Sequence, residues 1–297
     1  EFNRTMRVGV FEAANLSDAI RLSYVAKSGF NVGQATLLNH KEGFDALTEE
    51  WADPDVVSSA SRSMFSDASF RVVIEDESGK IPLNLFVKDN AVNADVREML
   101  VRLLGLPEFK LEPDKVQEIV NSLKDWLDKD DEVTTVGGAE TAYYKGLDRP
   151  YAAKNGPLDS IEELLMIKGV TKELYYGTED TPGLERYLTL YGAGRININT
   201  APKLMLRILS KDMTVEMVEE MDAYRRIPGT DLSDPTWFRK LNSTLHIQVN
   251  QNWIMTKSDR FRITSTGYVN NMAQSLSGVV LRDQAKGTLK LMAWKAY

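Results

Sequence analysis

Residues 68–86 and the residues after about 245 alternate apolar and polar side chains with the period of a β-strand, whereas most of the chain between them follows a helical period. In ASFRVVIEDESGKIPLNLF, Phe70, Val72 and Ile74 alternate along one strand and Ile81, Leu83 and Leu85 along the next. Residues 77–80 supply a turn in which Gly79 is free to take positive φ. Pro82 lacks a ladder donor and marks an edge or a break in pairing. Near the other end, Phe261 and Ile263, then Leu276, Gly278 and Val280, then Leu289, Leu291 and Ala293 predict three short strands. An isolated hairpin is not stable in water. The two distant sets must therefore join into one antiparallel sheet, and the helical run between them must be an insertion.

The sheet needs a cover, and residues 4–39 read as one long helix. Ala19, Leu22, Ala26, Gly29, Gly33 and Leu37 recur at spacings of three and four and trace one small-residue face. Each helical glycine costs about 1 kcal/mol, so this helix depends on what it packs against. The expected fold class is α+β: a long N-terminal helix on an antiparallel sheet, with a large all-α domain inserted between strands. The expected boundaries are 1–90 for the helix and hairpin, 91–243 for the insertion and 244–297 for the C-terminal strands.

Within the insertion, NADVREMLVRLLG is helical and Gly105 is placed to end it. PDKVQEIVNSLKDWL is a second helix, and Ser160 and Glu163 have capping-box spacing. Shorter helices are expected at about 183–191, 201–210 and 214–226, with one more turn at 234–241.

Composition excludes several chemistries. Without cysteine there is no disulfide, thiolate nucleophile or zinc–thiolate site. The two histidines, His40 and His246, lie in unrelated segments, which argues against a His-based metal centre or a Ser-His-Asp site. No hydrolase nucleophile–base pair is readable. No run approaches the ~18 apolar residues of a membrane helix. The net charge of −7 opposes general nucleic-acid binding.

That charge is concentrated. From 112 to 148 there are ten acidic residues and four lysines, a balance of −6. Asp125, Asp128, Asp130, Asp131 and Glu132 crowd together beyond a helix end, where negative charge is unfavourable to the helix dipole. Crowded carboxylates favour protonation or a cation, and hard oxygen ligands in a glycine-containing loop suit Ca²⁺. The loop is not an EF-hand. With Asp128 at position 1, position 6 is Val133 instead of Gly, and Glu140 falls one residue late. A solvated acidic loop and a bound cation both fit the residues.

RININTAPKLMLRIL followed by SKDMTVEMVEEMDAYRR has the outline of a helix-hairpin-helix nucleic-acid module. Its turn, 210–213, lacks the glycines that bring backbone N–H groups to phosphate. Lys203, Arg207, Lys211, Arg225 and Arg226 are balanced by Asp212, Glu216, Glu219, Glu220 and Asp222. Phosphate binding needs a net basic surface, so packing is the favoured role. Tyr143, Tyr144, Tyr151, Tyr175 and Tyr176 could form a sugar or base platform, but core and loop-anchoring roles suit them better.

DWLDKDDEVTTVGGAETAYY, YAAKNGPLDSIEELLMIKGV and RININTAPKLML, in that order, together with EAANLSDAIRLSYVAKSGFN at 12–31, resemble the K-type minor pseudopilins of type II secretion systems, the GspK family. The resemblance runs through most of the chain, with nothing distinctive shared at 178–186 or in the C-terminal strands. It implies a pilin-like fold with a large inserted helical domain. It also implies a cleaved leader and an N-terminal membrane helix ahead of residue 1. The globular part would then be anchored to the inner membrane in the periplasm of a Gram-negative bacterium. The implied role is structural: assembly at the pseudopilus tip with I- and J-type pseudopilins, without catalysis, cofactor-binding residues or nucleic acid. Calcium in the inserted domain is implied too, and by motif Asp125, Asp128, Asp130, Asp131 and Glu140 are the ligand candidates. On this reading the small-residue face of 19–37 lies partly against other subunits, and leucine at Gly29 or Gly33 blocks partner binding without unfolding the domain.

Overall fold

The computed structural model describes residues 2–296, with side chains described from Leu16 onward; the membrane helix expected ahead of residue 1 lies outside them. The chain divides into two compact units. One holds residues 1–76, 226–228 and 258–297, and the other holds 77–225 and 229–257.

The first unit is a helix on a sheet. Helix α1 (Phe2–Asn39) packs on four antiparallel strands, β1 (Ala68–Asp76), β2 (Arg260–Val269), β3 (Met272–Asp283) and β4 (Thr288–Ala296), paired in that order. Inward side chains alternate as the two-residue period requires: Phe70, Val72 and Ile74 from β1 and Phe261 and Ile263 from β2 meet Leu22, Val25, Ala26, Phe30 and Leu37 of α1. The register sets Phe70 opposite Gly267 and Ile74 opposite Ile263. The outer edge of β1 is blunted by two short helices, Pro54–Ser58 and Ser61–Met64. Ser58 Oγ accepts from Val72 N and Ser61 Oγ from Phe70 N, each at 2.9 Å, so edge donors that could recruit another chain are satisfied.

The hairpin expected at 70–85 does not form. β1 pairs with β2 instead, while residues 77–79 make a buried 3₁₀ turn and Ile81–Pro82 pairs in parallel with Leu188–Thr189. A two-residue strand ending in proline offers almost no ladder, whereas β2 matches β1 along its whole length. Gly79 is not among the positive-φ residues. Its lack of a Cβ matters because one would stand 3.0 Å from Ala201 Cα. The insertion therefore runs from 77 to 257, wider at both ends than the expected 91–243.

The small-residue face of α1 serves its own sheet. A Cβ on Gly29 would strike Ser265 Oγ and come within 2.8 Å of Phe70, and one on Gly33 would come within 2.8 Å of Ile263. This corrects the expectation that Gly29 and Gly33 face other subunits. Leucine at either position is expected to destabilise the isolated protein by about 1–3 kcal/mol through overpacking. Denaturant melts of Gly29→Leu and Gly33→Leu measure this; wild-type midpoints would place the face outside the core. Ala19 is exposed and does not join the buried face.

In the inserted unit, α2 (Ala94–Leu104) is capped by Asn93, whose side chain accepts from Asp95 N and Val96 N, and Gly105 ends it. Helix α3 (Pro113–Leu127) follows, then the short α4 (Thr141–Lys145), α5 (Lys203–Arg207) and α6 (Val215–Arg225). The Ser160–Glu163 capping box is present, but it opens a 3₁₀ helix, Ile161–Met166.

Candidate metal centre

Asp125 lies in the last turn of α3, and Asp128 caps it with its N–H still bonded to Lys124 O at 2.9 Å. Residues three apart share a helix face, so both carboxylates point the same way. Glu140 returns to them at the start of α4. Asp125, Asp128 and Glu140 are all buried, with one oxygen from each lying within 4.8 Å of the others.

The loop between α3 and α4 is strapped down so that this return is possible. Asn121 Nδ2 donates to Thr135 O at 3.2 Å and Val136 O at 2.9 Å, and Ser122 Oγ donates to Gly137 O at 3.2 Å. Val136 takes φ 68°, rare for a β-branched residue. At Gly138 a Cβ would collide with Asp125 Oδ2, so glycine is what lets that carboxylate sit under the loop. Below, Trp126 meets Tyr144 edge-on at 5.2 Å, and Tyr144 stacks on Tyr151 at 5.2 Å. These tyrosines are loop anchors, as expected.

The electrostatics of the cluster are unbalanced. Thr134 N–H donates to both Asp125 oxygens at 3.2 and 3.1 Å. Lys124 Nζ donates to Asp128 Oδ2 and stands 3.6 Å from Asp125 Oδ1. Glu140, only 1% exposed, has neither oxygen hydrogen-bonded, and Asp128 Oδ1 is also buried without a partner. Burial, followed by the charges of Asp125 and Asp128, pushes the Glu140 carboxyl up to about 7. Burial also raises Asp128. Three carboxylates and one ammonium leave two negative charges, which a dication would balance.

Asp130 and Asp131 do not join these three. Asp130 accepts from Asn90 Nδ2 at 3.2 Å and Glu132 N at 3.0 Å, and exposed Asp131 accepts from Asn155 Nδ2 at 3.3 Å. They contribute field to Glu140, not ligand atoms to the group. Sequence reasoning missed Lys124 and Gly138. The i,i+4 spacing of Lys124 and Asp128 was a readable signal for the first, whereas nothing local marks the second.

The helical hairpin is packed around its own polar knot. Arg225, buried, donates to Ile198 O and Ala201 O at 2.8 Å and to Asp222 at 2.6 Å. Asn199 accepts from Trp237 Nε1 at 2.7 Å. Lys203 pairs with Glu219 and Arg207 with Glu108. Three of the five basic residues that a phosphate site would need are thus engaged within the fold.

Residues 79–190 match the family model for type II secretion system protein K. The matched segment contains every carboxylate of the cluster. Two curated proteins named type II secretion system protein K are similar to the chain. One, from Aeromonas hydrophila, is 29% identical over 137 residues, covering 41% of this chain and 41% of the relative. The other, from Pseudomonas aeruginosa strain PAO1, is 34% identical over 131 residues, covering 44% of this chain and 37% of the relative. The chain thus spans about two fifths of the length of the curated relatives it matches. In fold it is similar to a chain of the crystal structure of the GspK–GspI–GspJ complex from enterotoxigenic Escherichia coli. The TM-score is 0.73 at 17% identity, over 96% of this chain and 99% of that one. At that identity the likeness speaks for the fold: the helix-on-sheet frame and its insertion.

Proposed function

We propose that this protein is a minor pseudopilin of the K type, placed at the tip of a type II secretion pseudopilus and acting in assembly, not catalysis. The observation that carries this reading is a segment matching the protein K family model, inserted between the strands of a helix-on-sheet frame. Such a subunit nucleates a short filament by helix packing, and the bulk of the insertion stops another subunit from adding above it. Its globular part works in the periplasm, anchored to the inner membrane by a helix ahead of residue 1. Among the described residues no helix is long and apolar enough to cross a membrane.

The partners are the I- and J-type pseudopilins. With the glycine face of α1 committed to its own sheet, the apolar side chains it offers them among its described residues include Leu16, Ile20 and Tyr24. These stand four residues apart and are 63%, 52% and 65% exposed. Co-purification with both partners tests the reading. The wild-type chain should be retained, and Ile20→Asp with Tyr24→Asp should lower retention at least tenfold while the melting midpoint holds. A chain that binds neither partner, or a double variant that binds as well as wild type, would sink it.

The segment matching the protein K model holds Ca²⁺ between Asp125, Asp128 and Glu140, with Asp130 and Asp131 adding field from outside. What supports this is the buried, unpartnered Glu140 carboxylate. The alternative, a helix-hairpin-helix nucleic-acid binder, is disfavoured by the engaged Lys203, Arg207 and Arg225. Salt-sensitive, sub-micromolar binding to duplex DNA at about 150 mM salt would revive it.

A further inference from the structure

The carboxylate cluster of the inserted unit has an ammonium built into it. Lys124 and Asp128 stand four residues apart at the end of α3, so their side chains share a face. Lys124 Nζ donates to Asp128 Oδ2 and lies 3.6 Å from Asp125 Oδ1. On a protein surface a lysine–aspartate pair at this spacing is ordinary and worth little. Here the side chains of Asp125 and Asp128 are 0% and 1% exposed, and that of Lys124 is 25% exposed. Its charge therefore acts on the carboxylates with little water between them, where screening is weak. The bond to Lys124 uses one oxygen of Asp128; Asp128 Oδ1 and both oxygens of Glu140 are buried with no hydrogen-bond partner. Resting on the Ca²⁺ reading of this cluster, we propose that Lys124 is its specificity-determining residue: the ammonium offsets one of three ionised carboxylates and so matches the site to a divalent ion.

Coulomb's law gives this role a definite signature. The repulsion between an ammonium and a bound cation grows in proportion to the cation's charge. Lys124 therefore weakens a trivalent ion more than a divalent one. Without it, three carboxylates carry three negative charges and favour a trivalent ion of the size of Ca²⁺; with it, the excess is two. The ammonium can keep its place while an ion binds, because the oxygens without partners are not the one it holds. In that position it also fixes the Asp128 carboxylate, the kind of outer support that ligating groups carry. Neighbouring charges do not supply the same control. Lys168, another ammonium that reaches this loop, donates to Gly137 O at 3.0 Å and stands 3.9 Å from Glu118. Asp130 and Asp131 add negative field and push the preference the other way, towards higher charge.

Calorimetric titration of the purified chain with CaCl₂ and, separately, with TbCl₃, whose ion is close to Ca²⁺ in size, tests this. Lys124→Met keeps the apolar stem and removes the charge. If it binds Ca²⁺ about tenfold more tightly than wild type, a gain that scales with ionic charge makes Tb³⁺ about thirtyfold tighter, so the preference for Tb³⁺ over Ca²⁺ rises about threefold. Lys124→Arg, which keeps the charge, should retain the wild-type preference. A melt in EDTA shows that each variant is folded before titration, and Lys124→Gln gives the same readout should Lys124→Met fold poorly. Unchanged or weaker Ca²⁺ binding by the uncharged variant overturns the proposal and leaves Lys124 an ordinary helix-end partner of Asp128. Tighter binding with an unchanged preference overturns it too, because the side chain would then simply leave when an ion arrives. So does a Lys124→Arg preference that follows Lys124→Met. Absence of Ca²⁺ uptake by wild type, or full uptake by Glu140→Gln, overturns the Ca²⁺ reading itself and this proposal with it.

Discussion

Stripping divalent cations with EDTA is expected to lower the melting temperature of this protein, and millimolar Ca²⁺ to restore it. A ligand that binds only the folded state stabilises by RT ln(1 + [L]/Kd), about 2.7 kcal/mol at a hundredfold excess over Kd. Asp125, Asp128 and Glu140 supply three negative charges against the single ammonium of Lys124, so without metal two charges stay uncompensated. The pH dependence has a definite sign. The Glu140 carboxyl is raised from 4.5 to about 7 in the folded chain. Below 4.5 it is protonated in both states and costs nothing. As pH rises from 4.5 towards 7 the folded state binds more protons than the unfolded one, so metal-free stability falls, and above 7 the full penalty remains. Ca²⁺ favours the ionised form, so it flattens this slope and binds less tightly as pH drops below about 7. Melts in EDTA and in Ca²⁺ across pH about 5–8 measure both effects. Glu140→Gln should lose most of the Ca²⁺ response and the slope together. Identical curves with and without Ca²⁺, or a full Ca²⁺ response in Glu140→Gln, would return the segment to a solvated acidic loop.

Removing Arg282 is expected to be the most damaging single change in the helix-on-sheet unit. Its buried guanidinium holds both oxygens of Asp45, donates to Ser258 O at 2.8 Å and lies 4.6 Å from the centre of the Phe261 ring. Ser258 in turn donates its hydroxyl to Asp76. Asp76 ends β1, where the chain leaves for the insertion, and Ser258 is where it returns. Arg282→Ala takes the guanidinium away from the buried Asp45 carboxylate, a change that costs about 3–5 kcal/mol in comparable sites. Replacing both charges, as Asp45→Asn with Arg282→Met, should cost clearly less than the two single losses added together. Urea denaturation of wild type, Arg282→Ala, Asp45→Asn, Arg282→Met and the double variant gives the comparison. Additive losses, or Arg282→Ala within 1 kcal/mol of wild type, would mean that the pair is not the tie it looks like; ~1 kcal/mol is the usual size of an ordinary substitution.

Much of the local structure could be read directly. The helices 94–104 and 113–127 follow from their apolar spacing, the stop at Gly105 from glycine's poor helix propensity, and the cap at Ser160 from a side chain that satisfies a terminal backbone group. The inserted architecture was legible too, because two strand-period segments far apart cannot each stand alone. Asp125 and Asp128 were readable as one face of a helix end.

The sequence by itself determined the longer helices and the strands of the four-stranded sheet, that those strands must meet across an insertion, and where negative charge is concentrated. These depend on period, composition and short-range hydrogen bonding, all of which act within a few residues. Only the tertiary structure decided that β1 pairs with β2 and not with 81–85, that Gly29 and Gly33 serve the sheet and not a partner, and that Asp130 and Asp131 turn away while Glu140 closes the cluster. It also brought His40, Asp45 and Glu49 together beneath Arg282. Each of those outcomes rests on contacts set by loop closure and close packing. There the choice depends on which distant surface fits without a buried orphan or a steric clash, and neighbouring residues carry no record of it.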